Sequence, residues 1–232
     1  MRDIETAIAA ARRAAAETVD AAVPATVEGR GPSASARPSM MTVMAQANLR
    51  PDRWLKVSEY GLFFGKEKSR LIPEIVVRID LTEDVGFWVK EQVKFGNPAQ
   101  YFSTYDGRSC DKGGAWESAV ARAMAFDPEA RPYVTVDVKA ALAQPVRDRN
   151  GEPFDLPVDA VVGIALSYSG FFEWQAMFRS AVLRGLVREE GHRMVGDTAL
   201  FRLRAKTIDN HVNTWGVIEF ELLDGIAPAS TS

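Results

Sequence analysis

From about Met41 onward, apolar and polar positions alternate with period two over most of the chain, the signature of strands with one face in a core. Trp54 to Phe64 opens the series. Leu71 to Leu81 sets Ile75, Val77, Ile79 and Leu81 on one face against Glu74, Val76, Arg78 and Asp80 on the other. Val85 to Phe95 repeats the pattern, with Val85, Phe87, Val89, Val93 and Phe95 opposed to Gly86, Trp88, Lys90, Gln92 and Lys94. Tyr133–Val138, Val161–Tyr168 and the pair Ala199–Ile208 with Trp215–Leu223 complete the strands. Two segments switch to helical spacing. Ala115–Phe126 carries Trp116, Val120 and Met124 on one side and stops before Asp127-Pro128, as the pre-proline restriction requires. Phe171–Glu190 spaces Phe171, Trp174, Phe178, Val182 and Leu186, with Gly191 placed to end it. The pattern predicts an α+β domain of mainly antiparallel strands, an elaborated small barrel with two inserted helices.

The N-terminal part has a different texture. Residues 2–20 space Ile4, Ala7, Ile8, Ala11, Ala15 and Val19 as a thin, alanine-rich helical stripe. Residues 21–38 are rich in Ala, Gly, Pro and Ser and bury too little to offset their ordering entropy, so they read as a linker. The expected organisation is an N-terminal helical arm and linker over 1–38, one β-rich domain over 39–224, and a short tail over 225–232.

Composition narrows the chemistry. The 232 residues carry 28 Lys+Arg against 31 Asp+Glu, a net charge of −3. Cys110 is the single cysteine and His192 and His211 the two histidines, which excludes an intramolecular disulfide framework and is too few thiols and imidazoles to expect a structural zinc site. Gly107 to Gly114 lacks the Gly-Lys-Ser/Thr ending of a phosphate loop, and no acidic run has the spacing of a metal loop. The expectation is a non-enzyme without cofactor or metal, in the cytoplasm, with no membrane partner; no apolar run approaches membrane-spanning length.

Aromatic and cationic residues fall together in several places. Trp88 stands beside two lysines, Lys90 and Lys94, on the polar face of its strand. Proteins that hold single-stranded nucleic acid combine aromatics that stack on bases with cations that follow the phosphates; the competing account puts Trp88 beneath one of the helices. A second cluster holds Trp54, Lys56, Tyr60, Phe63 and Phe64, then Lys66, Lys68 and Arg70. A third contributes Tyr101, Tyr105 and Arg108, the two tyrosines on one face of a regular strand. Arg202, Arg204 and Lys206 form a basic ladder. If Ile208 pairs with Trp215, Arg204 faces Glu219 and Arg202 faces Glu221, and only Lys206, opposite Val217, stays available. Stacking is thus assigned to Trp54, Tyr60, Phe64, Trp88, Tyr101 and Tyr105, and phosphate contact to Lys56, Lys66, Lys68, Arg70, Lys90, Lys94, Arg108 and Lys206.

The stretches Tyr60-Gly61-Leu62-Phe63-Phe64-Gly65-Lys66, Tyr101 through Gly107, and Trp215-Gly216-Val217-Ile218-Glu219-Phe220-Glu221 give the chain a general plan over residues 50–224 that resembles bacteriophage and mobile-element single-stranded DNA-binding proteins of the OB-fold type. The resemblance implies an OB-like barrel and the coating of single-stranded DNA during replication or recombination. It also implies self-association and contacts with replication or recombination proteins. The chain departs from that plan in ending without an acidic tail and in its slightly acidic balance. The alternative is a non-enzymatic assembly protein, such as a virion component, using the 1–38 arm.

Overall fold

A computed structural model describes residues 53–226 apart from His192; the predicted helix over 2–20, the linker over 21–38 and residues 227–232 lie outside the described residues. The elements run β1 (Trp54–Ser58), β2 (Gly61–Phe64), β3 (Glu74–Asp80), β4 (Phe87–Phe95), β5 (Gln100–Thr104), α1 (Trp116–Phe126), β6 (Pro132–Leu142), β7 (Val161–Ala165), α2 (Tyr168–Leu183), β8 (Val187–Glu190), β9 (Arg193–Gly196), β10 (Thr198–Asp209) and β11 (Thr214–Ile226). The protein is α+β, dominated by antiparallel strands, with two helices among the described residues.

Strand β6 is the hub of a nine-stranded sheet whose main path runs β11-β10-β3-β6-β7-β1-β2, with β4 branching from β6 and β5 from β4. Its eleven residues serve three partners. Pro132–Val138 pairs with β4, Ala140–Leu142 with β3, and Asp137–Ala141 with β7 along the opposite edge. Only the β1–β7 pair is parallel among the strand pairs of this sheet. The described sheet does not close into a barrel. It curls far enough that Leu62 of β2 meets Ile72, just before β3, and the two exchange backbone hydrogen bonds of 3.3 and 2.7 Å.

The apolar alternation of each strand determines which face is inside. Phe87, Val136, Val138, Ile79, Val77, Phe201 and Leu203 turn to one main core, and α2 covers it with Phe171, Trp174, Met177, Phe178 and Ala181. Beyond that core, β4, β5 and the start of β6 extend as an arm. Its underside packs Val93, Phe95 and Cys110 against Trp116, Ala119 and Ala123 of α1, a satellite cluster.

Two predicted boundaries move. The strand expected over Val161–Tyr168 ends at Ala165, because Ser167 caps α2 by accepting the Gly170 N–H at 3.1 Å. The helix expected to reach Glu190 ends at Leu183; Gly185, at φ +73°, reverses the chain, and Val187–Glu190 pairs with Arg193–Gly196 as a ribbon. Beyond the helix, Leu186 is half-buried against the main core and continues the apolar spacing, which is why periodicity carried the prediction too far. At the other end, β11 runs two residues past the expected domain limit of 224.

Candidate nucleic-acid interface

Strand register gathers the predicted residues from distant parts of the chain. Directly opposed residues share a face, and successive residues alternate. The pairs Lys94↔Tyr101, Gln92↔Ser103 and Gln92↔Tyr133 therefore lie on the face of the sheet turned away from the main core. Trp88↔Asp137↔Ala165 and Lys139↔Gly163↔Trp54 continue that outer face, and Lys56↔Phe63 closes it. Trp54, Lys56, Trp88, Lys90, Lys94 and Tyr101 thus share one surface of the sheet.

The centre of this face is closed. Trp88 is 1% exposed and its indole N–H has no hydrogen-bond partner among the described residues, so it offers no ring face for a base to stack on. It does not lie beneath α2 either: Phe87 holds that side, 5.4 Å from Trp174. Beside Trp88, Lys90 Nζ sits 2.7 Å from Asp137 Oδ2, and the Tyr105 hydroxyl donates to the same oxygen at 2.8 Å. Burial, then the neighbouring Asp137 carboxylate, pushes the Tyr105 phenol above its ordinary value. Lys90 and Tyr105 accordingly sit in an internal network. Phe64 is core as well, edge-on to Phe154 at 5.4 Å.

The periphery is open. Tyr101 of β5 is 38% exposed, Tyr168 56% and Phe172 51%. Tyr133, half-buried between them, meets Tyr168 edge to face at 5.6 Å, and Tyr168 meets Phe172 at 5.1 Å. The Tyr133 hydroxyl donates to Gln92 Oε1 at 3.0 Å and Gln92 Nε2 donates to Ser103 Oγ at 3.2 Å, a chain across three strands that fixes the ring. Burial, with Tyr101 nearby, pushes the Tyr133 phenol up to about 12. A row of aromatic rings thus crosses the arm from β5 to α2, with the exposed Lys94 directly opposite Tyr101.

Ion pairing sorts the cations. Arg202 and Arg204 share Glu74 and Glu221, at 2.8–3.7 Å. Register bears out Ile208↔Trp215, Arg204↔Glu219, Arg202↔Glu221 and Lys206↔Val217. Lys206 is nevertheless engaged, 2.7 Å from Glu173 on α2, a partner distant in sequence. Arg70 is bound to Asp148 at 3.1 Å and lies 4.0 Å over the Phe154 ring. Lys56, Lys66, Lys68 and Lys94 are exposed and have no ion pair among the described residues. Lys66 and Lys68 sit in the turn after β2, at the other end of that strand from the 66% exposed Tyr60. Arg108 is exposed in the loop after β5; there burial opposes, but the N–H groups of Ser109 and Arg108 and the Thr104 hydroxyl outweigh it and hold Asp106 below the usual carboxylate range.

Sequence reading missed Tyr133, Tyr168 and Phe172. Tyr168 looked like the end of a strand and Phe172 lies one position off the core stripe of α2. A large aromatic beside rather than on an apolar stripe was the available signal for Phe172; Tyr133 needed the register.

No helix among the described residues is long and apolar enough to cross a membrane, and no group of metal-ligating side chains is found among them. No protein-family model matches the chain, and no curated protein or solved structure matches it.

Proposed function

We propose that the protein is a sequence-tolerant single-stranded DNA-binding protein, coating DNA in phage-type replication or recombination by base stacking and phosphate contact. The observation that carries this reading is the row Tyr101–Tyr133–Tyr168–Phe172. These are aromatic rings held half-exposed on one surface, next to a lysine without a carboxylate partner among the described residues. Stacking of one base on one such ring is worth about 1–3 kcal/mol and is indifferent to base identity, since every base has a π face. The polar groups within the row are hydrogen-bonded to one another, Tyr133 to Gln92 and Gln92 to Ser103, which favours stacking over reading of base edges.

Lys94, with Lys56, Lys66 and Lys68 on the β1–β2 side, supplies the phosphate contacts, and a local positive surface suffices on a chain of net charge −3. The OB-like reading of the fold is supported by the curl that brings Leu62 against Ile72. Cytoplasmic location, self-association and replication or recombination partners belong to the same proposal.

The test is anisotropy of a labelled oligothymidine of about 30 nucleotides, titrated with protein at two salt concentrations, alongside a duplex of the same length. Binding that weakens with salt, prefers the single strand and is lost in Tyr133→Ala supports the reading. Failure of the wild-type chain to bind at low salt rejects it.

A further inference from the structure

The underside of the β4–β5 arm carries a second aromatic–cation cluster that no sequence pattern marked. Alternation along β5 turns Tyr101 to the outer face and its neighbour Phe102 to the underside. Phe102 is half-buried, its ring tilted by 31° against Phe95 at a centroid separation of 4.8 Å. Lys112 Nζ lies 5.3 Å from the centroid of its ring, and the Arg122 guanidinium of α1 lies 4.9 Å from it. Both cations are exposed, and neither has an ion pair among the described residues. Several arginines elsewhere behave differently: Arg70, Arg78, Arg188, Arg202 and Arg204 all hold carboxylates. Phe126, 67% exposed and edge-on to Phe95 at 6.0 Å, extends the cluster toward solvent.

The two clusters meet at one edge. Among the described residues β5 pairs only with β4, so its far side is an edge of the described sheet. Ser103 turns its N–H and C=O to that side, where Asp111 takes both, at 2.9 and 2.8 Å; period two turns the Tyr101 backbone the same way. Only one residue step separates the outer row from the underside ring.

We propose that Phe102, Lys112 and Arg122 form a second nucleotide subsite, a ring with two cations close by that takes a base with its phosphates, and that a strand lying on the outer row turns round the β5 edge to reach it. The proposal rests on the single-strand reading above and adds where the strand goes next. A half-buried aromatic ring with two exposed cations close by supplies stacking and phosphate neutralisation at one place, and a chain that wraps an edge occludes more nucleotides than one lying on a single face.

The test uses the full chain and Lys112→Ala/Arg122→Ala, whose altered side chains are exposed and leave the satellite core intact. Binding of labelled oligothymidines of about 6 and about 30 nucleotides is followed across salt. The double variant should match wild type on the short strand. On the long one its log–log salt slope should be shallower by about 1.4, the contribution of two phosphates on a single strand. An unchanged slope on the long strand, or an equal loss on the short one, overturns the proposal while Tyr133→Ala still reports on the outer row. Absence of wild-type binding to either strand overturns both.

Discussion

Lys90 reaches diagonally across the β4–β6 ladder to Asp137, 2.7 Å away, and the two side chains are only 9% and 2% exposed. The pair lies on the face of the sheet that carries the aromatic row, and the Tyr105 hydroxyl completes it. A buried ion pair adds little net stability over a well-packed apolar pair, but removing one partner strands a charge.

Asp137→Asn should therefore lower unfolding free energy by about 3–5 kcal/mol in urea denaturation, because Lys90 is left buried without its counter-charge. Replacing both together, Lys90→Met with Asp137→Leu, should recover most of that loss. A single variant that loses under about 1 kcal/mol would show that water reaches the pair.

Stacking and packing separate by position. Tyr168→Ala and Phe172→Ala remove half-exposed rings and should weaken oligothymidine binding by roughly 5- to 150-fold each, the range of about 1–3 kcal/mol per base, with unchanged unfolding midpoints. Trp88→Ala should instead cost about 3–5 kcal/mol of stability, as expected of a large buried ring. A stable Trp88→Ala protein with lost affinity would return Trp88 to the interface.

Salt dependence distinguishes available from engaged cations. Lys94→Ala should make the salt slope shallower by about 0.7 on single-stranded DNA. Arg202→Ala should leave the slope as it is, because Arg202 is held by Glu74 and Glu221. Measuring both slopes in one buffer series checks the assignment, and a larger effect from Arg202 would contradict it.

Tyrosine ionisation offers a readout that needs no ligand. Tyr133 has a folded-state pKa raised to about 12, above the unfolded value of about 10. The stabilisation tied to its neutral phenol is present in full below about pH 10 and is lost as pH rises through about 12. Absorbance titration of folded protein should show a component near pH 12 that Tyr133→Phe removes. If that component survives in the variant, the Tyr133 environment is not as closed as its contact with Gln92 indicates.

Gly216 makes a close approach: a Cβ there would overlap the Ser58 carbonyl, backbone against backbone. Gly216→Ala should destabilise the fold by about 1–3 kcal/mol, measured by thermal or urea unfolding. A neutral result would mean that the β10–β11 hairpin can shift away from the β1–β2 turn.

Much of this architecture is local and was legible from residue order. Period two in Glu74–Asp80 and Phe87–Phe95 fixed which side chains enter the core, and the turn between Ile208 and Trp215 fixed the pairing of Arg204 with Glu219 and Arg202 with Glu221. Those outcomes follow from the geometry of a single strand or hairpin, in which neighbours in sequence are neighbours in space. The face that carries Trp88, Lys90, Lys94 and Tyr101 was legible for the same reason. Whether that face is wet or closed was not. Trp88 is buried while Tyr101 is open, Lys206 is taken by Glu173 from a helix, and Tyr133, Tyr168 and Phe172 make one row only because β6 and α2 come together. Alternation determines the direction in which a side chain points; what it meets there depends on segments tens of residues away, and only the tertiary structure brings those into contact.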